Sequence, residues 1–231
     1  MDRLVKVSAF ALALTFVAMV QTSSAGLIVT QAVGGAPTGV TLDDLNWLTL
    51  GSTGGVSPET GITVTFTPDA AAVQGSLSGM YAAPYLSGSN GTAFGQGSGP
   101  DTTTYITTGS TGSYSGAMVE IDLPAPEMYF GLLWGSVDSY NTLQFLDGTT
   151  VVGTLTGSDI LASPTGDQGV NGTTYVNINS SMAFDKVVAT SSNYAFEFDD
   201  LAFNPTPVAE PASMLLVGVG LVGVARRFRR K

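Results

Sequence analysis

The sequence predicts an all-β fold, a jelly-roll-like β-sandwich, with one helix at each end of the chain. Two observations predict it. Short runs in which apolar and polar residues alternate recur along the middle of the chain, as in strands with one buried face. Between the two ends, no window shows an amphipathic helical pattern longer than three turns. At 231 residues, the chain has room for one domain plus end segments.

Alternation places the strands. In residues 62–67, Ile62, Val64 and Phe66 share one face and three threonines share the other. Residues 128–134 are almost entirely apolar, as in a central strand that is covered on both faces. At least eight strands in about 180 residues are typical of a sandwich. The other predicted strands are residues 117–123, 142–146, 149–155, 173–178, 184–190 and 194–203.

Two local motifs accompany the strands. Asp147-Gly148 lies between two alternating runs and predicts a hairpin with a two-residue turn, which pairs Leu143 with Val152. Residues 41–50 are expected to form one short helix, because they begin with a residue that can cap it and place two acids in its first turn.

Composition excludes several kinds of chemistry. The chain has no Cys and no His, so disulfides, thiolate nucleophiles, imidazole bases and His/Cys metal sites are excluded. Its formal net charge is −10, and seven of the eight basic residues lie at the two ends. Residues 26–205 contain 16 acidic residues and one basic residue, Lys186. Such a body repels phosphate backbones, so we expect no nucleic-acid partner.

The N-terminus has the pattern of a secretory signal peptide. Two basic residues precede an apolar run at residues 9–20, and small residues lead to Ala25. The pattern predicts a signal helix in residues 1–25 that signal peptidase removes by cutting between Ala25 and Gly26. A buried N-terminal helix or a retained anchor is the alternative, although a 12-residue run is too short to span a bilayer of about 30 Å. Residues 26–204 are the expected extracytoplasmic domain.

The C-terminal residues 205–231 have three parts: a Pro-rich spacer, an uncharged transmembrane-helix candidate at residues 213–225, and a basic tail at residues 226–231. The basic tail stays on the cytoplasmic side of a membrane, so the domain lies outside. As a helix, residues 212–225 are about 21 Å long, short of the roughly 30 Å hydrocarbon core. The segment therefore suits transient rather than permanent membrane insertion.

This three-part order resembles the PEP-CTERM sorting signal of Gram-negative bacteria. The motif of that family is Pro-Glu-Pro, and this chain has Ala209-Glu210-Pro211. In the family, a membrane-embedded exosortase recognises the tail, and the protein passes from the inner membrane to the cell surface or the extracellular exopolysaccharide matrix. The alternative is a plain C-terminal anchor with a stop-transfer cluster. The resemblance implies that the sorting signal comprises Glu210, Pro211, Arg226, Arg227, Arg229 and Arg230.

Two internal stretches resemble a subgroup of exosortase-dependent surface proteins. They are YFGLLWGSVDSYNTLQFLDG, residues 129–148, and FEFDDLAF, residues 196–203. The resemblance supports the same destination and implies no activity.

Asp199 and Asp200 are candidate metal ligands. Phe196 and Phe198 share one strand face, but Leu201 falls on the other parity, so the pattern slips by one residue at the acid pair. A β-bulge there would keep both apolar sets inward and would bring two carboxylates together, which is costly without a cation. Carboxylate oxygens suit Ca²⁺. A solvated acidic surface is the alternative.

Tyr81 and Tyr85 are candidates for stacking on sugar rings. They lie in a Gly-, Ser- and Thr-rich insert, residues 68–113, which is expected to be a surface loop or a set of weak edge strands. Aromatic faces attract the C–H bonds of sugars. Alternatively, these rings anchor the insert to the domain.

Taken together, the sequence predicts an exported, exosortase-sorted protein with a structural or adhesive role at the cell surface or in the exopolysaccharide matrix. A carbohydrate-binding module, assisted by Ca²⁺, is the alternative. A second alternative is a two-carboxylate glycoside hydrolase that draws on Glu120, Glu127 or Glu197. We expect no enzyme, because no His, Cys or activated Ser arrangement is present and each Glu is equally explained as a strand residue.

Overall fold

The computed structural model describes residues 22–24, 26–32, 34–67, 69–109 and 117–208. Residues 1–21 and Ala25 of the predicted signal segment lie outside the described residues, as does the C-terminal segment with Glu210, Pro211 and the four arginines. Thr22–Ser24, which also belong to the predicted signal segment, form a strand rather than a helix. None of the helices within these ranges has the length and apolarity that a membrane crossing requires.

The described chain is built from short and long strands with almost no helix, as the sequence predicts for an all-β protein. A four-residue helix, α1 (Gly157–Ile160), and one 3₁₀ turn (Thr92–Phe94) are its helical elements. The strands in chain order are β1 (Thr22–Ser24), β2 (Leu27–Ala32), β3 (Thr41–Asp43), β4 (Gly54–Val56), β5 (Thr63–Phe66), β6 (Ala71–Val73), β7 (Tyr85–Leu86), β8 (Gly99–Pro100), β9 (Tyr105–Thr107), β10 (Met118–Gly135), β11 (Asn141–Asp147), β12 (Thr150–Thr156), β13 (Thr174–Ser191) and β14 (Glu197–Asn204).

Twelve of these strands form one continuous antiparallel sheet. Its main path runs β1-β2-β13-β10-β14-β9-β6, while β11, β12, β3, β4 and β5 pair beside this path. Strands β7 and β8 pair separately. The sheet therefore has β10, β13 and β14 at its centre, with the short strands around them.

Two strands of 18 residues, β10 and β13, replace the four shorter strands expected from the sequence. The register of β10 against β13 shifts between Asp122 and Glu127, a stretch that contains Pro124 and Pro126. Proline cannot donate to a ladder, so pairing is interrupted there without ending the strand. The first half of β10 pairs with β5 and the second half with β14. Ile121 and Phe130, from the two halves, belong to one apolar core.

The β11–β12 hairpin forms as predicted, but its register differs. Asp147 pairs with Thr150, so the two-residue turn is Gly148-Thr149 rather than Asp147-Gly148. This turn alone would pair Leu143 with Thr154, and a one-residue bulge at Val152 on β12 adds the last step, so Leu143 faces Leu155 rather than Val152. The extra residue lies on β12, so Val152 and Leu155 are both buried although they are three positions apart. Phe145 on β11 is buried by regular alternation, and its ring meets that of Phe130 edge-on. Core packing thus decides a register that the turn residues alone predicted incorrectly.

The helix expected at residues 41–50 is absent. Residues Thr41–Asp43 instead form β3 and pair with β14. The Asp43 carboxylate then accepts hydrogen bonds from the Leu45 N–H at 3.0 Å and from the Trp47 indole N–H at 2.8 Å, which makes a turn. An acid that bonds its own following backbone favours a turn over a helix.

The β-bulge predicted at Asp199-Asp200 is present. The register of β14 against β10 shifts between Gly131 and Leu133, and Asp200 has a positive φ of 55°. As a result Phe198 and Leu201 both face the main core. Burial of a leucine or phenylalanine side chain stabilises the folded state by about 1.5–3 kcal/mol, and this favours the bulge over a regular strand.

The insert packs over the outer face of the central strands. It contributes β6 to β9, which are short strands of two or three residues. Of the two expectations for this segment, a surface loop or a set of weak strands, the second describes it better. A second apolar cluster lies beneath it, with Leu86 of the insert packed against Tyr129, Leu133 and Tyr175 of the sheet. The central strands are therefore covered on both faces, and polar groups of β14 are enclosed under the insert.

Candidate functional site

Strand β14 places acidic side chains beneath the insert. Phe196 and Phe198 point into the main core, so Glu197 and Asp199, which alternate with them, lie on the opposite face. Glu197 is 2 % exposed and Asp199 is fully buried. Two candidate sites follow along this strand: a polar cavity at Glu197 and a carboxylate pair at Asp199.

The polar cavity opens between the insert and the loops after β10, α1 and β13. Its volume is about 240 Å³. The cavity is lined by aromatic, hydroxyl, amide and carboxyl groups. They belong to Tyr81, Ser136, Asp138, Tyr140, Gln168 and Glu197, among others.

Glu197 ties the insert to the sheet at the floor of this cavity. Its Oε1 accepts a hydrogen bond from the backbone N–H of Ala82 at 2.9 Å, and its Oε2 accepts one from the hydroxyl of Ser136. Burial raises the pKa of Glu197 to about 7, although these two donors oppose the increase. Both carboxyl oxygens are already occupied by protein donors.

Asp138, Tyr140 and Tyr194 form the wall of the cavity. The Tyr140 hydroxyl oxygen lies 2.6 Å from Asp138 Oδ2 and 2.6 Å from the backbone carbonyl oxygen of Tyr194. Burial raises the pKa of Asp138, and the bond from Tyr140 opposes the increase. Because a phenol has a single proton and the carbonyl can only accept, a protonated Asp138 satisfies both contacts at once.

The two tyrosines predicted to stack on sugars occupy different places. Tyr81 lines the cavity, is partly exposed, and meets Tyr105 edge-on at 6.4 Å between ring centroids. Tyr85 lies on β7, where it pairs with Pro100 and donates its N–H to the Thr173 hydroxyl, away from the cavity lining.

The carboxylate pair consists of Asp199 and Asp101, the latter from the insert. The Thr103 hydroxyl oxygen joins them, at 2.5 Å from Asp101 Oδ1 and 3.2 Å from Asp199 Oδ2. Asp101 is 2 % exposed. The second oxygen of each, Asp101 Oδ2 and Asp199 Oδ1, receives no hydrogen bond from an N–H or hydroxyl donor. A side-chain hydrogen bond between the two carboxyls contributes to the raised pKa of Asp199. Burial, followed by the charges of Asp200 and Asp101, raises the pKa of Asp199 well above its ordinary value.

Asp200 lies next to this pair and is also fully buried. Neither of its carboxyl oxygens has a hydrogen-bond partner. Burial, with the charges of Asp101 and Asp44, raises the pKa of Asp200 to about 8. The charge of Asp101 therefore acts on both Asp199 and Asp200.

The other acids named in the sequence lie apart from this pair. Glu120 forms an ion pair with Lys186 at 2.6 Å, and Glu127 is buried where the register of β10 against β13 shifts. Asp138 lines the cavity, Asp159 caps α1, and Asp147 is exposed in the hairpin. Within the described ranges, no group of three or more His, Cys, Asp or Glu side chains is arranged to hold a metal ion.

Sequence reasoning missed Asp101 and Ser136 as neighbours of β14, although it names Asp138, with Asp147, Asp159 and Asp167, as a turn acid suited to Ca²⁺. Asp101 lies about a hundred positions before Asp199, and no periodicity links the two. One signal was available, because residues 68–113 contain only two charged residues, Asp69 and Asp101. An isolated charge in a neutral insert that folds over a sheet is a candidate for a buried contact.

Comparison with known proteins identifies the C-terminal segment. The family described as "PEP-CTERM protein-sorting motif" matches residues 207–231. No curated protein and no solved structure matches the chain. The chain therefore carries a PEP-CTERM protein-sorting motif, and this motif implies export, processing by exosortase and sorting to the cell surface. The match includes Glu210, Pro211 and the four predicted arginines, whose individual roles remain predictions.

Proposed function

We propose that the β domain is a structural and adhesive component of the cell surface or the exopolysaccharide matrix, and that it adheres by binding a neutral sugar residue in the polar cavity. The observation that supports this is the composition of the cavity, which combines the Tyr81 ring with hydroxyl, amide and carboxyl groups. The domain then acts as a β-sandwich module in which the insert provides the binding face.

The cavity chemistry suits a sugar. Sugars present C–H bonds to aromatic faces and hydroxyls to planar acceptors and donors, and Tyr81, Gln168 and Asp138 offer these groups around one opening. A volume of about 240 Å³ is below the roughly 300–1,000 Å³ of pockets for drug-sized ligands. It therefore fits a single sugar residue at a chain end or branch rather than a long stretch of polysaccharide.

Charge selects among sugars. Residues 26–205 contain 16 acids and one base, and Lys186 is engaged with Glu120 and Asp122. Uronic acids, sulfated sugars and phosphorylated sugars would be repelled. We expect neutral sugars to bind.

A two-carboxylate hydrolase is the competing function, because Glu197 and Asp138 line the same cavity. Catalysis needs a carboxyl that can exchange protons with substrate or attack it. Both oxygens of Glu197 are held by Ala82 and Ser136, and Asp138 is held by Tyr140. We therefore propose binding without turnover.

The test uses full-length protein, purified in detergent, and a panel of neutral and acidic oligosaccharides. Tyr81→Ala should weaken binding of a neutral sugar about two- to tenfold, since an aromatic contact contributes roughly 0.5–1.5 kcal/mol. Tyr85→Ala, a matched change on the same insert, should leave the affinity unchanged. No binding by wild-type protein, or equal loss in both variants, would contradict the proposal. Release of sugar products that Glu197→Gln abolishes would favour the hydrolase.

A further inference from the structure

A second site lies on the same strand, at the pair formed by Asp101 and Asp199. Two carboxylates that share the Thr103 hydroxyl are buried together, and each retains one oxygen that receives no hydrogen bond from an N–H or hydroxyl donor. Asp200, fully buried beside them, has two such oxygens. Buried polar atoms in proteins nearly always have a partner, so four oxygens without such a donor in a single place require an explanation.

The described part of the protein offers no cation to this cluster. Lys186 is the one basic residue in the ranges that the structure describes, and it forms ion pairs with Glu120 at 2.6 Å and Asp122 at 3.2 Å. Those partners lie on the first half of β10, which pairs with β5, whereas Asp199 faces the second half. Buried like charges without a counter-ion are strongly unfavourable.

We propose that Asp101 and Asp199 bind a Ca²⁺ ion, with Asp200 adding negative charge beside it. The oxygens Asp101 Oδ2 and Asp199 Oδ1 are the first ligands, and the Thr103 oxygen lies where the two carboxylates meet. Calcium takes six to eight oxygen ligands and accepts carbonyl, hydroxyl and water oxygens in flexible geometry. Two carboxylates therefore suffice, and a third convergent acid is not needed.

The ligand type and the location select calcium among common metals. The chain contains no His or Cys, so the ligands are oxygens alone, which zinc and copper do not favour. Magnesium requires near-ideal octahedral geometry and loses its water reluctantly, which suits a buried pair less well. Extracellular modules bind calcium with Kd of about 10⁻⁴ to 10⁻³ M, and a PEP-CTERM protein is exported to where calcium is available.

The ion would fasten the insert to the sheet. Asp101 belongs to the insert and Asp199 to β14, so one Ca²⁺ joins the two layers that also enclose the polar cavity. Binding to the folded state alone raises the melting temperature by mass action. For about 100-fold excess over Kd, we expect a rise of roughly 5–10 °C in a domain of this size.

The experiment measures thermal unfolding and calorimetric binding of the full-length protein, purified in detergent, with CaCl₂ as the probe and MgCl₂ at equal concentration as the comparison. Calcium should raise the Tm of wild-type protein by several degrees, EDTA should reverse the rise, and magnesium should have a smaller effect. No heat of binding and no shift in Tm at 10 mM CaCl₂ would overturn the proposal.

Variants locate the ion. Asp199→Asn and, separately, Asp101→Asn should each reduce the calcium-induced Tm shift at least threefold. Asp147→Asn is the matched control, because it makes the same change at an exposed hairpin position and should retain the full shift. An undiminished shift in both Asp199→Asn and Asp101→Asn would place the ion elsewhere and refute the assignment. If one variant fails to fold, the other and the wild-type calorimetry decide the question.

Discussion

The side chain of Asn179 makes two hydrogen bonds with the backbone of Val208. Asn179 Nδ2 donates to the Val208 carbonyl oxygen at 3.0 Å, and the Val208 N–H donates to Asn179 Oδ1 at 2.8 Å. Val208 also packs against the second apolar cluster. Because the sorting motif begins at residue 207, the folded domain holds the first residues of that motif against strand β13.

Replacing Asn179 should release this attachment. Asn179→Ala removes both hydrogen bonds, and one bond contributes about 1 kcal/mol, so amide exchange at Val208 should accelerate at least fivefold. Hydrogen–deuterium exchange with mass spectrometry measures the effect. Asn171→Ala, at an exposed position, is the control and should change nothing. Equal exchange at Val208 in wild type and Asn179→Ala would show that the two bonds contribute nothing to local stability.

The close approach at Gly131 gives a prediction about stability. A Cβ at this position would lie 2.8 Å from the Tyr175 hydroxyl oxygen and would also collide with that of Tyr129. Tyr175 donates to the Asp200 carbonyl oxygen at 3.1 Å, so the collision disturbs the packing at the bulge. Gly131→Ala should lower the free energy of unfolding by about 1–3 kcal/mol in denaturant titrations.

A second glycine provides the control for Gly131. At Gly97 an added Cβ meets nothing within 4 Å, and Gly97→Ala should change the free energy of unfolding by less than about 0.5 kcal/mol. Equal effects of the two substitutions would show that the crowding at Gly131 has no energetic consequence.

The sequence predicted the elements that depend on local pattern. Alternation located β5, the hairpin and both halves of β10, and the parity slip at Asp199-Asp200 predicted the bulge. The predicted register of the hairpin was wrong, because the turn is Gly148-Thr149 rather than Asp147-Gly148 and β12 carries a bulge at Val152. Fusion of the halves of β10 was also missed, since Pro124 and Pro126 read locally as a strand end.

The sites were less predictable because they depend on contacts between distant residues. The sequence marked Asp199 and Tyr81, but their partners Asp101 and Glu197 are brought to them by the fold of the insert. The prediction of a helix at residues 41–50 was wrong for a related reason. Pairing of β3 with β14 and the turn made by Asp43 outweigh a helical propensity that is only local.

Burial of Glu127 predicts a pH effect on stability. Glu127 is 4 % exposed, and burial raises its pKa above the ordinary value. The fold therefore favours the protonated form, so ionisation of Glu127 lowers the free energy of unfolding. This loss is absent below the unfolded-state pKa and grows as the pH rises through it. Glu127→Gln should match wild type at pH 3.5 and be more stable by about 1 kcal/mol at pH 7.

Chemical denaturation at the two pH values measures this difference. Glu59→Gln, an exposed counterpart, should alter the unfolding free energy by less than about 0.5 kcal/mol at both. A Glu127→Gln protein that is less stable than wild type at pH 7 would show that the ionised carboxylate is favourable in the fold.

The Glu210-Pro211 pair predicts a defect in processing. Replacing both residues with Ala should block recognition by exosortase, so that precursor with its C-terminal tail accumulates in the inner membrane. Pro58→Ala with Glu59→Ala removes the same two residue types from an exposed loop of the domain and should be processed normally. Fractionation and immunoblotting with a tail-specific antibody measure the precursor. Unchanged processing of the Glu210 and Pro211 variant would support a plain C-terminal anchor instead.

The most direct test of the sorting account is the intact mass of the protein recovered from the cell surface or the matrix of its native host. The account predicts a chain that has lost residues 1–25 and the segment from Met214 to Lys231, with the β domain intact. A full-length, uncut chain dissolved in the cytosol would contradict it.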